Sequence, residues 1–194
     1  VLVFQNPENQ LVALNVLREL AFAPENLGMP RKEILKVVEE TLNLVGIDHL
    51  KNKAPYELSG GEQQRVAIAS ILTLKPKILI LDEPTSNLDP KSAEYIISLI
   101  SKLNRNQGIT IILIEHRLEM VARYVNRVIL MKEGQIVLDG NPSYVLSSRE
   151  AEEIGVGVPK VIKVFKQLEK HGFIFNKYPL TIDDAVKLIV GKGT

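Results

Sequence analysis

Apolar runs and amphipathic stretches alternate through the middle of the chain. KILILD (residues 77–82) and ITIILIE (residues 109–115) are apolar up to their acidic ends. Between them, apolar side chains recur at helical spacing, at Ile96, Leu99, Ile100 and Leu103. Continuous hydrophobicity is typical of strands that are covered on both faces, as in a parallel sheet. We therefore predict a strand–helix–strand unit with a right-handed crossover.

Further elements are predicted on the N-terminal side of this unit. VLVF at the start of the chain is typical of a buried strand, and LNVLRELAF is amphipathic and followed by a helix break at APENLGMP. Helices are expected at residues 31–45 and 62–74. The first of these has its predicted apolar face at Ile34, Leu35, Val38, Leu42 and Val45.

On the C-terminal side, RVILM and QIVLD predict a hairpin around a tight turn at residues 132–134. From residue 141 onward the pattern predicts helices only. One of them, in VPKVIKVFKQLEKHG, has Gly172 as its expected C-cap, and Thr181 with Asp184 resembles the start of the last helix. The helix in VPKVIKVFKQLEKHG has apolar side chains at Val161, Phe165 and Leu168. We expect them to pack against their own domain rather than a partner.

Composition narrows the possible functions. The chain has 24 Lys and Arg against 23 Asp and Glu, so bulk charge gives no reason to expect a nucleic-acid partner. It contains no cysteine, which excludes disulfides, thiolate metal sites and cysteine nucleophiles. No apolar run approaches the ~20 residues of a membrane span, and VLVFQNPENQ is not a signal peptide. Because VLVF begins without a turn or cap, we expect that further sequence precedes it in the parent protein.

The segment LSGGEQQR combines a helix start with two adjacent glycines. Ser59 and Glu62 match the S-x-x-E capping box, which is a sufficient structural reason for both. Gly60 and Gly61, however, each cost a helix about 1 kcal/mol relative to alanine. A helix N-terminus without side chains exposes amide N–H groups and the positive end of the helix dipole to an anion. The segment therefore predicts a phosphate contact in addition to a cap.

Polar residues follow three of the predicted strands. Asp82 and Glu83 close KILILD, His116 follows ITIILIE, and Gln5 follows VLVF. Each alone has an ordinary explanation as a turn residue or a structural histidine. In open parallel sheets, however, ligands bind beyond the carboxyl ends of the strands. An acid there can hold Mg²⁺, and a second acid can act as a base toward an attacking water.

Four motifs together resemble the ATP-binding cassette (ABC) ATPases. LSGGEQQR is similar to their signature motif, ILILDEP and TSNLD to their Walker B segment and D-loop, FQNP to their Q-loop, and IEHR to their switch-histidine segment. All four occur in family order between Phe4 and about Gly140. Residues 6–30 and the tail ending PLTIDDAVKLI look most like the energy-coupling-factor branch, which powers uptake of metal ions such as cobalt, or of vitamins.

The resemblance implies a role for each candidate residue. Glu83 would polarise the attacking water, His116 would stabilise the transferring phosphoryl group, and Gln5 would contact Mg²⁺ and the water and relay the nucleotide state to the membrane partner. Asp82 would support Mg²⁺. Ser59, Gly60 and Gly61 would contact the γ-phosphate of ATP that a second ATPase subunit holds. Asp89 would lie at the dimer seam. Residues 12–28 would help form the groove that receives a coupling helix.

Three departures from the family pattern are visible. Glu62 stands where glutamine is commoner, and Arg117 stands where an acid often follows the histidine. The phosphate-cradling G-x-x-x-x-G-K-[ST] loop is absent from these 194 residues: Gly191-Lys192 lacks the required upstream glycine, because position 186 is valine. The upstream adenine-stacking aromatic is missing as well. Without the loop, the β- and γ-phosphates lose their main holder.

The predicted protein is an ATP-binding subunit of an energy-coupling-factor importer, with a P-loop NTPase-like α/β core, partial here and mostly a parallel sheet. Residues 1–140 are predicted to form the partial ABC domain, and residues 141–194 a helical extension. Within the ABC domain, the helical signature subdomain spans about 10–75, and the core from Walker B to the switch histidine spans 76–140. ATP and Mg²⁺ are the expected ligands. A second ATPase subunit, a membrane coupling subunit and a substrate-binding membrane subunit are the expected partners, at the cytoplasmic face of the membrane.

Two alternatives stay open at this point. The first is a non-catalytic fragment that lends its signature motif to a complete partner ATPase. The second is an ABC ATPase of DNA repair or chromosome structure. There a long coiled coil separates the Q-loop half from the signature motif, whereas Gln5 and Ser59 are only 54 positions apart and no sustained heptads occur between them.

Overall fold

The computed structural model describes residues 1–190 of the chain; Gly191 and Lys192, the dipeptide considered above, lie outside the described residues. Its contacts divide the chain into two compact units, Val1–Glu115 and His116–Thr194. The first unit contains the Q-loop, signature and Walker B segments. The predicted boundary at residue 140 separates the partial ABC domain from the helical extension. The division by contacts at residue 115 does not test it, so it stays a prediction.

A parallel sheet of three strands forms one layer of the first unit. Its strands are β1 (Leu2–Val3), β2 (Ile78–Asp82) and β3 (Thr110–Ile114), in the order β1-β2-β3. Both pairs are parallel, with Val3 opposite Leu81 and Leu81 opposite Leu113. Helix α4 (Pro90–Gln107) connects β2 to β3, so the predicted strand–helix–strand unit is confirmed.

The two faces of this sheet differ in burial. Val3, Leu79 and Leu81 on one face are fully buried, helix α3 (Gly60–Leu72) contacts β1, and α4 contacts β3. On the other face, Ile112 and Ile114 are 48% and 51% exposed. The predicted parallel pairing is confirmed, while within the described residues only one face of the sheet is fully covered. The helices of the first unit therefore explain the apolar side chains on one face of the sheet but not those on the other.

Three helices precede β2 in this unit. They are α1 (Val16–Asn26), α2 (Arg31–Val45) and α3 (Gly60–Leu72), and short 3-10 turns lie at Pro7–Asn9, Asp48–Leu50 and Pro55–Glu57. Helix α2 has the predicted bounds and ends at Gly46, whose φ of 72° is left-handed. On its apolar face, Leu35 is 55% exposed and Val37 is buried instead, which corrects the predicted face.

Helix α1 continues through Pro24 and ends within APENLGMP, where the helix break was predicted. A proline in the last turn of a helix removes only one backbone hydrogen bond, and this ring is buried. The chain leaves the helix only at Leu27, before Gly28 adopts a φ of 71°. The predicted break in this segment is therefore confirmed, three residues after Pro24.

Helix α3 is the central helix of the unit. Its residues Val66, Ala67, Ile68 and Ala69 are all fully buried, so more than one face is covered. It contacts α1, α2, α4 and β1. It begins at Gly60, two residues before the predicted start, and ends at Leu72, two residues before the predicted end. The two glycines thus lie inside the first turn of the helix.

The second unit joins a hairpin to short helices. Strands β4 (Val128–Lys132) and β5 (Gln135–Gly140) are antiparallel and follow α5 (Leu118–Val121). Glu133 and Gly134 both have positive φ, 51° and 77°, which is the geometry of a type I′ hairpin turn, so the predicted hairpin is confirmed. Four helices follow: α6 (Pro142–Ser147), α7 (Arg149–Ile154), α8 (Lys160–Lys170) and α9 (Ile182–Val190).

Helix α8 packs into its own unit, as predicted. Phe165 and Ile162 are buried, and Val161 and Leu168 are half-buried. The Tyr178 hydroxyl donates a hydrogen bond to Glu169 at the end of this helix, and burial with that carboxylate raises the pKa of Tyr178 to about 12. The Thr181 hydroxyl accepts from the Asp184 amide at 3.1 Å, which confirms the predicted start of α9. No helix within residues 1–190 is long and apolar enough to cross a bilayer.

Candidate functional site

Two of the predicted site residues meet at the carboxyl edge of the sheet. Gln5 lies two residues beyond β1, and its Nε2 donates to Glu83 Oε2 at 2.9 Å. Asp82 is the last residue of β2, and Glu83 follows it directly. Because β1 and β2 are neighbouring parallel strands, both segments leave the sheet at the same edge. The sequence prediction that Gln5 joins the acidic pair is thus met by a direct side-chain contact.

The backbone at Glu83 has a conformation that non-glycine residues rarely adopt. Its φ is 43°, at a cost of about 1–3 kcal/mol for a residue with a Cβ. Its N–H donates to Ile114 O at 3.0 Å, and its own carbonyl accepts from Ser86 N at 3.2 Å and Ser86 Oγ at 3.0 Å. The turn after β2 is therefore held by β3 on one side and by its own residues on the other. This fixes the direction in which the Glu83 carboxylate leaves the strand.

A buried hydroxyl supports the same turn. Thr85 is fully buried, and its Oγ1 donates to Glu115 Oε2 at 2.6 Å. Glu115 follows β3, so this bond connects the ends of β2 and β3. A charge-assisted hydrogen bond of this kind is about twice as strong as a neutral one. Neither residue was among the predicted site residues.

The start of α3 is capped as the sequence predicted. Both the backbone N–H and the Oγ of Ser59 donate to Glu62 Oε2, each at 2.8 Å. These bonds, from the Ser59 backbone first and its hydroxyl second, lower the pKa of the Glu62 carboxyl. The first backbone bond of the helix runs from Gln63 N to Ser59 O at 2.9 Å. The amides of Gly60 and Gly61 therefore belong to the first turn, where backbone N–H groups lack helical acceptors.

The two glycines have different surroundings. A Cβ on Gly61 would lie 3.0 Å from Ser92 Oγ and 3.1 Å from Ser92 Cβ, a tight contact to which Ser92 would have to adjust. A Cβ on Gly60 would meet only Leu88 Cδ2, at 3.7 Å, an ordinary contact. The sequence interpretation assigned both glycines to phosphate access. Packing of α3 against α4 is a separate reason for Gly61, and no local sequence signal indicated it.

Asp89 caps α4 at its N-terminus. Its Oδ1 accepts from the amides of Lys91 at 3.0 Å and Ser92 at 3.1 Å. Hydrogen bonds from Ser92, the side chain first, lower the pKa of this carboxyl. The predicted position of Asp89 at a dimer seam stays a prediction, but the residue has a structural role within the chain.

A polar cavity of about 260 Å³ lies between these segments. It is lined by Gln5 and its neighbours, by the first turn of α3 and by the turn after β2. Gln64 lines it as well; this side chain is 1% exposed, and its Nε2 has no hydrogen-bond partner among the described residues. The Q-loop, signature and D-loop segments therefore surround one cavity within the first unit.

His116 is the first residue of the second unit. It is exposed, its carbonyl accepts from Leu118 N at 3.0 Å, and a Cβ on Gly157 would lie 3.3 Å from that carbonyl. Strand β3, which precedes it, is a direct neighbour of β2, as predicted. The convergence of His116 with Asp82 and Glu83 stays a prediction.

Comparison with known proteins gives a consistent assignment. A family model described as ABC transporter matches residues 1–86. The energy-coupling factor transporter ATP-binding protein EcfA1 of Caldanaerobacter subterraneus subsp. tengcongensis is 48% identical over 189 residues, which cover 97% of this chain and 68% of that protein. The chain belongs to the ABC transporter ATPases, in the energy-coupling factor group.

Solved structures agree with this membership. The structure of cbiO1 from Clostridium perfringens, described as part of the ABC transporter complex cbiONQ, has a TM-score of 0.72 at 39% identity and covers 85% of this chain and 66% of its own. A dimeric post-hydrolysis state of the ATP-binding cassette MJ0796, bound to ADP and Pi, has a TM-score of 0.61 at 32% identity, covering 73% and 62%. The predicted P-loop NTPase-like fold is confirmed, and the chain spans about two thirds of the length of these relatives.

The site of this ABC ATPase offers oxygen ligands but no closed metal cage. Among residues 1–190 no group of three or more His, Asp or Glu side chains forms a metal site. Mg²⁺ in nucleotide sites usually takes one or two protein carboxylates and completes its shell with phosphates and waters. Asp82 at the end of β2 is a carboxylate of this kind, and its support of Mg²⁺, together with Gln5, stays a prediction.

Sequence reasoning missed one buried carboxylate of the ABC ATPase. Glu19 in α1 is 4% exposed, and its Oε2 accepts from the amides of Val12 at 2.9 Å and Ala13 at 2.8 Å. It fixes the loop after the Q-loop, beside a wider groove lined by residues 11–13, Pro55, Tyr56 and Leu58. An acid within an amphipathic helix gives no sign that it turns toward a preceding loop.

Proposed function

We propose that this chain is part of the ATP-binding subunit of an energy-coupling-factor importer, which couples ATP hydrolysis at an ATPase dimer interface to uptake of a metal ion or a vitamin. The membrane-bound assembly acts at the cytoplasmic face of the membrane and contains a second ATPase subunit, a membrane coupling subunit and a substrate-binding membrane subunit. The observation that carries the proposal is the hydrogen bond between Gln5 and Glu83 beside the first turn of α3.

Glu83 acts as the base that polarises the attacking water. The strained turn and the anchoring of its amide on Ile114 direct its carboxylate beyond the sheet edge, where ligands of parallel sheets bind. Gln5 holds that carboxylate in place and contacts the same water. His116 stabilises the transferring phosphoryl group. Asp82 and Gln5 would hold Mg²⁺, which would supply positive charge toward the phosphate oxygens when bound.

The start of α3 contacts the γ-phosphate of an ATP that the second subunit holds. The Ser59 hydroxyl and the first-turn amides at Gly60 and Gly61 supply donors, and the helix dipole favours an anion there. Asp89, at the N-terminus of α4, lies at the dimer seam. Gly61 packs against α4 through Ser92, so the signature turn and this cap form a continuous patch.

The groove next to Glu19 receives the coupling helix of the membrane subunit. Exposed apolar side chains lie along it, with Val12 at 68% and Tyr56 at 87%. The Q-loop residue Gln5 is only a few positions away in the chain. A partner that presses on this loop would thereby influence the bond between Gln5 and Glu83. This is the route by which the nucleotide state reaches the membrane.

The 194 residues by themselves lack the phosphate-cradling loop, and we expect no ATP hydrolysis from them alone. Hydrolysis that depends on Glu83 in the pure 194-residue chain would contradict this. A fragment that lends its signature motif to a complete ATPase would instead restore hydrolysis on mixing. The DNA-repair alternative receives no support from the transporter ATP-binding proteins to which the chain is similar.

The test is ATP-driven substrate uptake by vesicles that contain the full-length protein with its partners. Glu83→Gln keeps the size and a hydrogen-bond acceptor but removes the base, and we expect uptake and hydrolysis to fall at least about 100-fold. Glu133→Gln is the matched control, because Glu133 also has positive φ but lies in the exposed β4–β5 turn. Uptake that survives Glu83→Gln would exclude the proposed role.

A further inference from the structure

The hydroxyl of Ser59 already has an acceptor within its own chain. It donates to Glu62 Oε2 at 2.8 Å, and the Ser59 amide donates to the same oxygen at 2.8 Å. A serine hydroxyl has a single proton to donate. A hydroxyl that donates to Glu62 is therefore unable to donate to another anion at the same time.

The acceptor is charged, which strengthens this bond. Hydrogen bonds to carboxylates are roughly twice as strong as bonds to neutral acceptors such as the glutamine amide oxygen. Glu62 is also the third residue of α3, so its charge lies at the same helix end as the amides of Gly60 and Gly61. A carboxylate there is attracted to the helix dipole and repels a second anion that approaches it.

We propose that Glu62 is a positioning residue that competes with the terminal phosphate of a nucleoside triphosphate for the Ser59 hydroxyl, and so raises the ATP concentration at which two ATPase subunits close. The inference rests on the proposed function, since it requires that Ser59 contacts a phosphate held by the second subunit. On closure the hydroxyl turns from Glu62 to the phosphate, and the carboxylate keeps only the Ser59 amide. No bond is made or broken except these hydrogen bonds.

The test compares Glu62→Gln with wild type in the full-length protein assembled with its partner subunits. Glutamine keeps an acceptor for the Ser59 amide but removes the charge, so we expect the KM for ATP to fall about two- to fivefold while kcat stays within about twofold. Glu57→Gln is the control for a nearby charge. Glu57 also caps a turn, by accepting from the Ala54 amide at 2.6 Å, but no serine hydroxyl is bound to it.

A second readout is independent of turnover. In a Glu83→Gln background, the ATP concentration that gives half-maximal association of the ATPase subunits, measured by light scattering, should fall by the same factor in Glu62→Gln. A Glu62→Gln variant with an unchanged or higher KM, or an unchanged association midpoint, would overturn the inference.

The Ser59→Ala variant separates this inference from the proposed function. Ser59→Ala should raise the KM for ATP, and Glu62→Gln should have a much smaller effect in that background, because the contested hydroxyl is gone. If Ser59→Ala alone leaves the KM and the association midpoint unchanged, the proposed contact with the second subunit is wrong, and the inference fails with it. If Ser59→Ala has its effect but Glu62→Gln has none, only the role of Glu62 is wrong.

Discussion

Gly61 and Ser92 form a tight contact between α3 and α4. A Cβ at position 61 would lie 3.0 Å from Ser92 Oγ, and Ser92 N is in turn bound to the Asp89 carboxylate at 3.1 Å. The signature turn and the cap of α4 are thus linked through one small side chain. A Cβ at position 61 therefore requires the Ser92 side chain to give way by a few tenths of an ångström.

We expect Gly61→Ala to lower the free energy of unfolding by up to about 2 kcal/mol. Overpacking costs about 1–3 kcal/mol, and the better helix propensity of alanine offsets about 1 kcal/mol of it. Thermal denaturation of the full-length protein measures the effect. Gly60→Ala, whose Cβ meets only an ordinary contact, should be neutral or stabilising, and Ser92→Gly should partly restore Gly61→Ala. Equal loss in both alanine variants would show that the contact with Ser92 is not the cause.

Glu62 makes the stability of the helix start depend on pH. The bonds from Ser59 hold the pKa of its carboxyl below the ordinary 4.5. A depressed folded-state pKa contributes stability that is present above the unfolded-state pKa and is lost as pH falls through the folded-state value. Wild type should therefore be more stable than Glu62→Gln at about pH 6, by less than about 1 kcal/mol because solvent screens the group, and the difference should shrink as the pH falls below the ordinary pKa of 4.5. A difference that persists at low pH would contradict this.

The elements around the site differ in how far the sequence predicts them. Helix α2 has the predicted bounds because Pro30 before its start and Gly46 after its end are local signals. Helix α1 ends within the predicted break segment but only after Pro24, because its last turn tolerates a proline whose ring packs in the core. The loop after the Q-loop could not be predicted, since its geometry depends on Glu19, a residue of the following helix.

Glu19 should determine the order of this loop. Glu19→Ala leaves the amides of Val12 and Ala13 without their acceptor, and we expect about 2 kcal/mol or more of lost stability. Glu19→Gln is the matched control, because both amides bind one oxygen and an amide oxygen can replace it. Hydrogen exchange at Val12 and Ala13 should be at least about tenfold faster in Glu19→Ala and close to wild type in Glu19→Gln. Slow exchange in Glu19→Ala would argue against the role of this carboxylate.

For the molecule as a whole, the order of the motifs predicted the family. The side-chain contacts within the site depend on tertiary structure, which the motifs do not reveal. Gln5, Glu83 and the cap at Ser59 were predicted from local patterns and parallel-strand logic. The bond between Gln5 and Glu83 joins residues 78 positions apart, and the clash at Gly61 depends on a neighbouring helix, so neither has a local signal. The apolar runs predicted the parallel sheet but do not reveal which layer covers each face, and the face around Ile112 is exposed within the described residues.

The proposed composite site makes a sharp distinction between subunits. If Ser59 of one subunit acts on the phosphate held next to Glu83 of the other, each site contains one residue from each chain. The effect of combining Ser59→Arg with Glu83→Gln then depends on whether one subunit carries both substitutions or each subunit carries one. Placed in the same subunit, they disable both sites. Placed in different subunits, they disable one site and leave the other intact.

The decisive measurement is ATP hydrolysis by dimers of two differently tagged copies of the full-length protein. Ser59→Arg in one copy and Glu83→Gln in the other should leave roughly half of wild-type hydrolysis, because one site keeps both residues. Both substitutions in one copy, paired with a wild-type copy, should leave none. The reverse pattern, with activity only when both changes share a copy, would show that Ser59 acts within its own subunit and would contradict the composite site.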